Sequence, residues 1–353
     1  MKSNDIVGDN PAGRYRDYPQ IRYMGSKYKL LEWIRETLSE LDFETALDAF
    51  SGSGAVSYLM KSMDRTVYSN DFLHFSYILS KAAVENSHQT LSPQDMKHLL
   101  KEAPEAPTFI QDTWGGIFYS EEELRFLDRI SWNIRSLSNQ YKKALAMTCL
   151  IRSCAKKQPR GVFTISGDLS KHNDGRRDLR LTLQEHFQEQ AEVYNRVIFD
   201  NCRKNRAFHG DIFNFNTSHY KPDLVYMDPP YVPRSDDNCY VKRYHFLEGL
   251  SKYWEDEEIL YNTKVRKIAK KYTPFSYRRT AIEAFDGMFR KFRESTLVLS
   301  YSSNGYPDLE ILTDLMGRYK KDVRVCEKEH RYHFGNHRSV KRATVQEYLI
   351  IGS

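Results

Sequence analysis

The chain has no C-x-x-C pair. Its five cysteines, Cys149, Cys154, Cys202, Cys239 and Cys326, lie scattered along 353 residues. Neither a metal site nor a disulfide framework is suggested, and a reducing cytoplasm is the expected setting. There is no secretory signal and no apolar run long enough to span a bilayer, so no membrane partner is expected. No internal repeat is visible, which sets solenoids and propellers aside. A third glycine is also missing: Gly52 and Gly54 follow a strand pattern, but Ser57 stands where a dinucleotide fingerprint would carry its last glycine, which disfavours a NAD enzyme. What remains is an ordinary globular mix of 40% hydrophobic and 28% charged residues, enough for one large domain or two. The formal charge of +6 and the 24 tyrosines fit a partner with phosphates and stackable bases.

The most informative stretch is Asp228-Pro229-Pro230-Tyr231. It follows the apolar run Asp223–Met227, which reads as a buried strand of a parallel sheet. Two prolines cannot continue a ladder, and they hold the backbone extended. A carboxylate and an aromatic ring are thereby fixed at the carboxyl end of the strand, the edge where open α/β sheets bind ligands. This suits chemistry on an exocyclic amine such as N6 of adenine, a poor nucleophile because its lone pair is delocalised into the ring. Asp228 can accept one N–H and the Pro229 carbonyl the other, which favours a pyramidal nitrogen with a free lone pair. Tyr231 offers a face on which a base taken out of its duplex can stack. The plainer alternative is a strand-ending turn with Tyr231 as a packing residue.

Other stretches fit around this one. Residues 1–18 are polar and read as a loosely held arm. Tyr23-Met24-Gly25-Ser26-Lys27 precedes an amphipathic helix over residues 29–41; Gly25 permits close approach and Lys27 can meet a carboxylate. Residues 45–56 read as strand, glycine loop and helix. A second strand, residues 66–69, ends in Asn70-Asp71-Phe72, an acid placed to hold a ribose diol. From about residue 86 to 205 helical periodicity dominates, as in Leu124, Leu127, Ile130, Ile134 and Leu137. This stretch reads as a helical insertion into an α/β domain built from residues 19–85 and 206–353. Within it, Lys156, Lys157, Gln158 and Arg160 can touch phosphates or base edges, or form a solvated loop. Asp211-Ile212 resumes the sheet; Asp211 could face an adenine amine or cap a turn.

After Tyr231 come turn formers and then cations and rings. Arg234, Lys242 and Arg243 are candidates for phosphates, and Tyr240 and Tyr244 for stacking or wedging; the segment is expected to order only when nucleic acid binds. The alternative is that Tyr244, Phe246 and Leu247 already begin a packed helix. Residues 264–293 carry ten Lys/Arg against Glu283 and Asp286, a local net charge of +8 that leaves the rest of the chain at −2. So concentrated a charge favours a binding surface. Residues 296–302 form another buried strand, and 323–334 with 343–351 a closing strand pair.

Taken in order, these motifs resemble the D12 class of adenine-N6 DNA methyltransferases, which includes the Dam-like enzymes. Tyr23-Met-Gly-Ser-Lys27 resembles the family's N-terminal cofactor motif, with Ser26 where a second glycine is common. Asp48-Ala-Phe50-Ser51-Gly52-Ser-Gly54 resembles its F-x-G-x-G motif. Asn70-Asp71-Phe72 and Asp211-Ile212 match the next two cofactor positions, and Asp228-Pro-Pro-Tyr231 the catalytic motif. The order is that of the α group. The resemblance implies a class I methyltransferase fold: a doubly wound, mostly parallel sheet with a C-terminal antiparallel strand pair and an inserted recognition region.

It further implies direct transfer of a methyl group from S-adenosylmethionine to adenine N6 in double-stranded DNA, without a metal. Asp71 would hold the cofactor's ribose, Phe72 flank its adenine and Asp211 bind its amine. The expected enzyme is a cytoplasmic monomer, the modification partner of a restriction endonuclease. The same motifs also serve RNA adenine and, with Asn for the Asp, protein-glutamine transfer; a nucleic-acid-binding subunit without turnover is the reading from another class.

Overall fold

The structure is a computed structural model that describes residues 11–159, 161–164, 175–232, 240–331 and 344–353. Seven strands form one sheet: β1 (Thr45–Asp48), β2 (Thr66–Asp71), β3 (Arg206–His209), β4 (Leu224–Met227), β5 (Thr296–Ser302), β6 (Val323–Arg331) and β7 (Thr344–Gly352). Their spatial order is β3-β2-β1-β4-β5-β7-β6. The first five run parallel, and β7 slots antiparallel between β5 and β6, with Leu299 opposite Ile350 and Cys326 opposite Leu349. This is the doubly wound architecture with a closing antiparallel pair that the resemblance implies.

Side chains of the central strands alternate between two faces, as the pleat requires. Ala46, Leu224, Tyr226 and Val298 join one hydrophobic cluster, and Leu47, Val225, Met227 and Leu297 the other. All four residues of β4 are buried, which explains why it reads as an uninterrupted apolar run rather than an alternating one.

Helices cover both faces. In chain order they are α1 (Leu31–Ser39), α2 (Ala55–Ser62), α3 (His74–Ser80), α4 (Pro93–Leu100), α5 (Phe109–Trp114), α6 (Glu121–Ser136), α7 (Gln140–Lys157), α8 (Arg177–Arg180), α9 (Leu183–Val197), α10 (Tyr240–Ser251), α11 (Arg278–Lys291) and α12 (Leu309–Gly317). Helices α4 to α9 fall in the stretch read as an insertion. Ser92/Asp95, Ser120/Glu123 and Thr182/Glu185 close reciprocal capping boxes at the starts of α4, α6 and α9. None of the described helices is long and apolar enough to cross a membrane.

One expectation is corrected. Residues 11–17, read as part of a loose arm, form a 3-10 turn, and Tyr15 and Tyr18 are buried at 3% and 1% exposure. With three residues per turn the two rings share a face, and Tyr18 stacks on Tyr58 of α2 with ring centroids 4.6 Å apart. The helices of the stretch read as an insertion share a core with the sheet. Leu127, Leu150 and Phe187 belong to the same hydrophobic cluster as Ala46 and Leu59.

Candidate active site

Strands β1 and β2 end in Asp48 and Asp71, and Asp228 directly follows β4. Because β4 and β2 flank β1 in parallel register, the three acids meet at one sheet edge, where the winding direction reverses and a crevice must open. A cleft with a cavity volume of about 110 Å³ lies there. It is lined by most of the candidate residues: Tyr23, Met24, Gly25 and Lys27; Asp48, Phe50, Ser51 and Gly52; Asp71 and Phe72; Asp228, Pro229, Pro230 and Tyr231; and Tyr240.

One side of the cleft is organised by Lys27, 3% exposed in a 3-10 turn before α1. Its Nζ donates to Asp228 Oδ1 (2.8 Å), to the Tyr231 hydroxyl (2.9 Å) and to the Gly25 carbonyl (3.2 Å). The Tyr231 hydroxyl also donates to Asp228 Oδ1, at 3.2 Å. Among the described residues Oδ2 receives no hydrogen bond, and the side chain keeps 19% exposure, so an acceptor remains for a ligand amine. Burial pushes the Asp228 carboxyl above its usual range, while the Lys27 ammonium and the hydrogen bonds pull it back. The edge of Tyr231 rests against Tyr301, with centroids 4.8 Å apart, which fixes the ring beside the carboxylate.

The other side is a tight loop at the start of α2. Gly52 and Gly54 have φ of +51° and +78°, the left-handed region glycine enters freely. Their packing leaves little room as well: a Cβ on Gly54 would meet the Tyr18 hydroxyl at 2.8 Å, and one on Gly52 would meet the Tyr23 ring at 3.1 Å. The Gly52 N–H donates to Asp71 Oδ2 at 2.7 Å and the Leu73 N–H to Oδ1 at 2.8 Å. Burial lifts the Asp71 carboxyl to about 7 against those two bonds. Asp48, held by the Ser57 hydroxyl at 2.6 Å, is also pushed to about 7 by burial, and its Oδ1 is buried with no partner among the described residues. A glycine cradle next to acceptors with spare lone pairs fits a ligand that carries both an amine and a diol. The residue missing from the dinucleotide fingerprint, Ser57, serves here to hold Asp48.

Other candidates lie elsewhere. Asp211 does not line the cleft. Its carboxylate accepts the Phe213 N–H at 3.0 Å and caps the turn Ile212–Asn214, and Ile212 is buried in the opposite core. Lys156 pairs with Asp178, Lys157 with Glu123 and with the Leu179 and Leu181 carbonyls, and Gln158 is buried against the Phe118 carbonyl. These three hold the insertion together, because the end of α7 is packed rather than looped out. Tyr244, considered as a wedge, is 2% exposed; its ring stacks on Tyr23 at 5.2 Å and its hydroxyl accepts the Met24 N–H at 2.7 Å. Tyr244 is therefore packed rather than poised as a wedge, at the point where α10 kinks (φ −115°, ψ 16°). Lys242 and Arg243 lie half-buried on α10, and Arg160 and Arg234 are outside the described residues.

Several residues of the site were not read from sequence. Lys271, Thr273 and Ser276 line the cleft although they lie forty or more positions beyond Tyr231, with no motif to mark them. Glu248 of α10 is fully buried and accepts the N–H groups of His74 and Phe75, each at 3.1 Å, which caps α3 just after Asp71 and Phe72. Tyr18 donates to the Ser53 carbonyl at 2.8 Å; the three-residue spacing of Tyr15 and Tyr18 in a polar arm was the available signal.

Comparison with known proteins completes the picture. The profile of the D12 class N6 adenine-specific DNA methyltransferases matches residues 23–301. The chain is 30% identical over 345 residues to the type II methyltransferase M2.HphI of Haemophilus parahaemolyticus, covering 94% of this chain and 98% of that one. It is 27% identical to the modification methylase StsI of Streptococcus sanguinis and 24% identical to the modification methylase LlaI of Lactococcus lactis, spanning 47% and 53% of their lengths.

Proposed function

The chain belongs to the D12 class of N6 adenine-specific DNA methyltransferases, and on that premise we propose a division of labour within the cleft and a place for the enzyme in the cell. The observation that carries the mechanism is the Asp228 carboxylate, with Oδ1 engaged by Lys27 and Tyr231 and Oδ2 left to accept. A flipped adenine stacks on Tyr231 and presents its amine to Asp228 and to the Pro229 carbonyl. Both are acceptors, so they strip the amine's lone pair from ring conjugation as N6 becomes tetrahedral. Lys27 keeps the carboxylate charged, and the shed proton passes to the solvent side of the site.

S-adenosylmethionine supplies an activated methyl group on a sulfonium. Gly52 and Gly54 give its methionine end close backbone approach, Asp48 Oδ1 suits its ammonium, Asp71 its ribose hydroxyls and Phe72 its adenine face. Tyr23, Met24, Gly25, Phe50 and Ser51 close the same pocket. Positioning and preformed acceptors supply the rate.

Two relatives are named modification methylases and a third a type II methyltransferase. These names support a modification enzyme that protects the sites cut by a cognate restriction endonuclease, and we read it as cytoplasmic and monomeric on DNA. The test is transfer of labelled methyl to duplex DNA, to RNA and to protein, followed by digestion and identification of the product. N6-methyladenine from duplex DNA at one sequence context is the expected result. Label in cytosine, RNA or glutamine alone would overturn the assignment.

A further inference from the structure

Ten cations lie between residues 264 and 293, and the structure sorts them. Arg266 donates to the Asp112 and Thr113 carbonyls, Lys271 pairs with Glu257 and Glu248, and Lys291 donates to the Phe213 carbonyl. These three are spent on holding the fold. Arg278 and Arg279 are not: both are exposed, and among the described residues neither meets a carboxylate. They open α11, whose first turn has no acidic residue and whose N-cap, Tyr277, makes no capping bond. Two cations at the positive end of a helix dipole work against helix stability, so their place is not explained by the fold.

The same corner carries an exposed ring. Tyr272 is 63% exposed and lies against Tyr277, with centroids 5.6 Å apart and planes at 34°. The Arg279 guanidinium lies over the Tyr277 ring at 5.8 Å, and that of Arg278 over Tyr306 at 4.2 Å. An exposed tyrosine beside a second ring, with two guanidiniums held over rings a few residues further along, offers partners for bases and phosphates. Its position in the chain matters: Tyr272 lies between the cleft-lining Lys271 and Thr273, and Tyr277, Arg278 and Arg279 directly follow Ser276, another lining residue, so this segment borders the cleft.

We propose that this rim seats the DNA strand carrying the target adenine: Arg278 and Arg279 take phosphates beside the flipped nucleotide, and the Tyr272 ring stacks on a base next to the gap it leaves. The proposal rests on the DNA-methylating reading of the cleft and adds where the substrate strand enters it.

The test uses the full chain and duplex DNA containing its methylated sequence, with 2-aminopurine at the target position. Replacing Arg278 and Arg279 together by Ala should flatten the salt dependence of duplex binding by about two phosphates, so that the loss of affinity between 50 and 200 mM salt shrinks roughly tenfold. The pair replaced by Lys should keep the slope. Tyr272→Ala should reduce the 2-aminopurine signal of the flipped state several-fold, and Tyr272→Phe should keep it. S-adenosylmethionine affinity should stay unchanged in all four variants, which also reports that each is folded. Wild-type methylation together with an unchanged slope in the Ala pair, or with a full flipping signal in Tyr272→Ala, overturns the rim alone. Failure of the wild type to bind or methylate duplex DNA removes the functional reading and this one with it.

Discussion

Lys27 and Asp228 are 201 residues apart in sequence and 2.8 Å apart in space. Each was legible as a chemical type, a cation after a glycine and a carboxylate after a strand, but nothing local says that they pair. The pairing decides the chemistry. An acceptor for an amine must be ionised, and burial pushes Asp228 towards protonation while Lys27 opposes this. Removing the cation raises the carboxyl further, so the acid limb of the kcat/KM profile in Lys27→Met moves to higher pH, with roughly a tenfold loss of activity for each unit by which the carboxyl rises past the assay pH. A pH–rate profile of the variant checks this; an acid limb left in place, or moved to lower pH, would mean that Lys27 does not tune Asp228. Asp71 and Asp211 mark the opposite limit of sequence reading. Both are acids after short strands, yet one lines the cleft and the other caps a turn, because the outcome depends on the neighbouring loop rather than on the strand.

At the scale of elements, the strands were legible because four of the five parallel ones are apolar runs or end in a distinctive turn. Helix α10 was not: residues up to Tyr244 were expected to order only on nucleic acid, and a helix from Tyr244 onward was only the alternative. It is buried on nearly every side from Tyr244 to Ser251, so it shows no amphipathic stripe to distinguish it from a strand or a core segment. Its contribution lies in one side chain. Glu248 satisfies two backbone N–H groups at the start of α3, immediately after the residues that face the cofactor side of the cleft. It also meets Lys271, a lining residue, at 3.5 Å. Glu248→Ala leaves two helix-end donors without their acceptor and Lys271 with Glu257 as its carboxylate partner. The expected cost is about 1–3 kcal/mol of stability, with a several-fold weaker S-adenosylmethionine affinity because the Asp71–Leu73 turn loses its support. Glu248→Gln, which keeps one acceptor, should recover part of both. Denaturant unfolding and calorimetric titration read the two effects. Loss of stability with wild-type cofactor affinity would confine Glu248 to a structural role.

In the whole molecule, the class of fold and the order of its parts followed from the alternation of strand and helix patterns and from the closing strand pair. How the parts share a core did not. The stretch from about residue 86 to 205 reads as an insertion because its periodicity changes there, and its helices complete the cluster on one face of the sheet; pattern shows which side of a helix is apolar, not what it meets. The same holds for the loop after α10, where Tyr253, Trp254, Asp256 and Arg266 take positive φ. No local signal marks such conformations in residues other than glycine, and contacts such as Trp254 over Trp114, 4.2 Å apart, sustain them. The cleft depends on all of this, since its lining comes from both ends of the chain. Its central claim is that Asp228 is the acceptor that makes a flipped adenine nucleophilic. Single-turnover methyl transfer to duplex DNA by Asp228→Ala, with cofactor and DNA both saturating, tests it most directly. A rate lower by a factor of 10² or more, on the order found when one preorganised hydrogen-bonding group is removed from an active site, with wild-type affinity for S-adenosylmethionine and DNA, is the expected result; a rate within a few-fold of wild type would contradict the account.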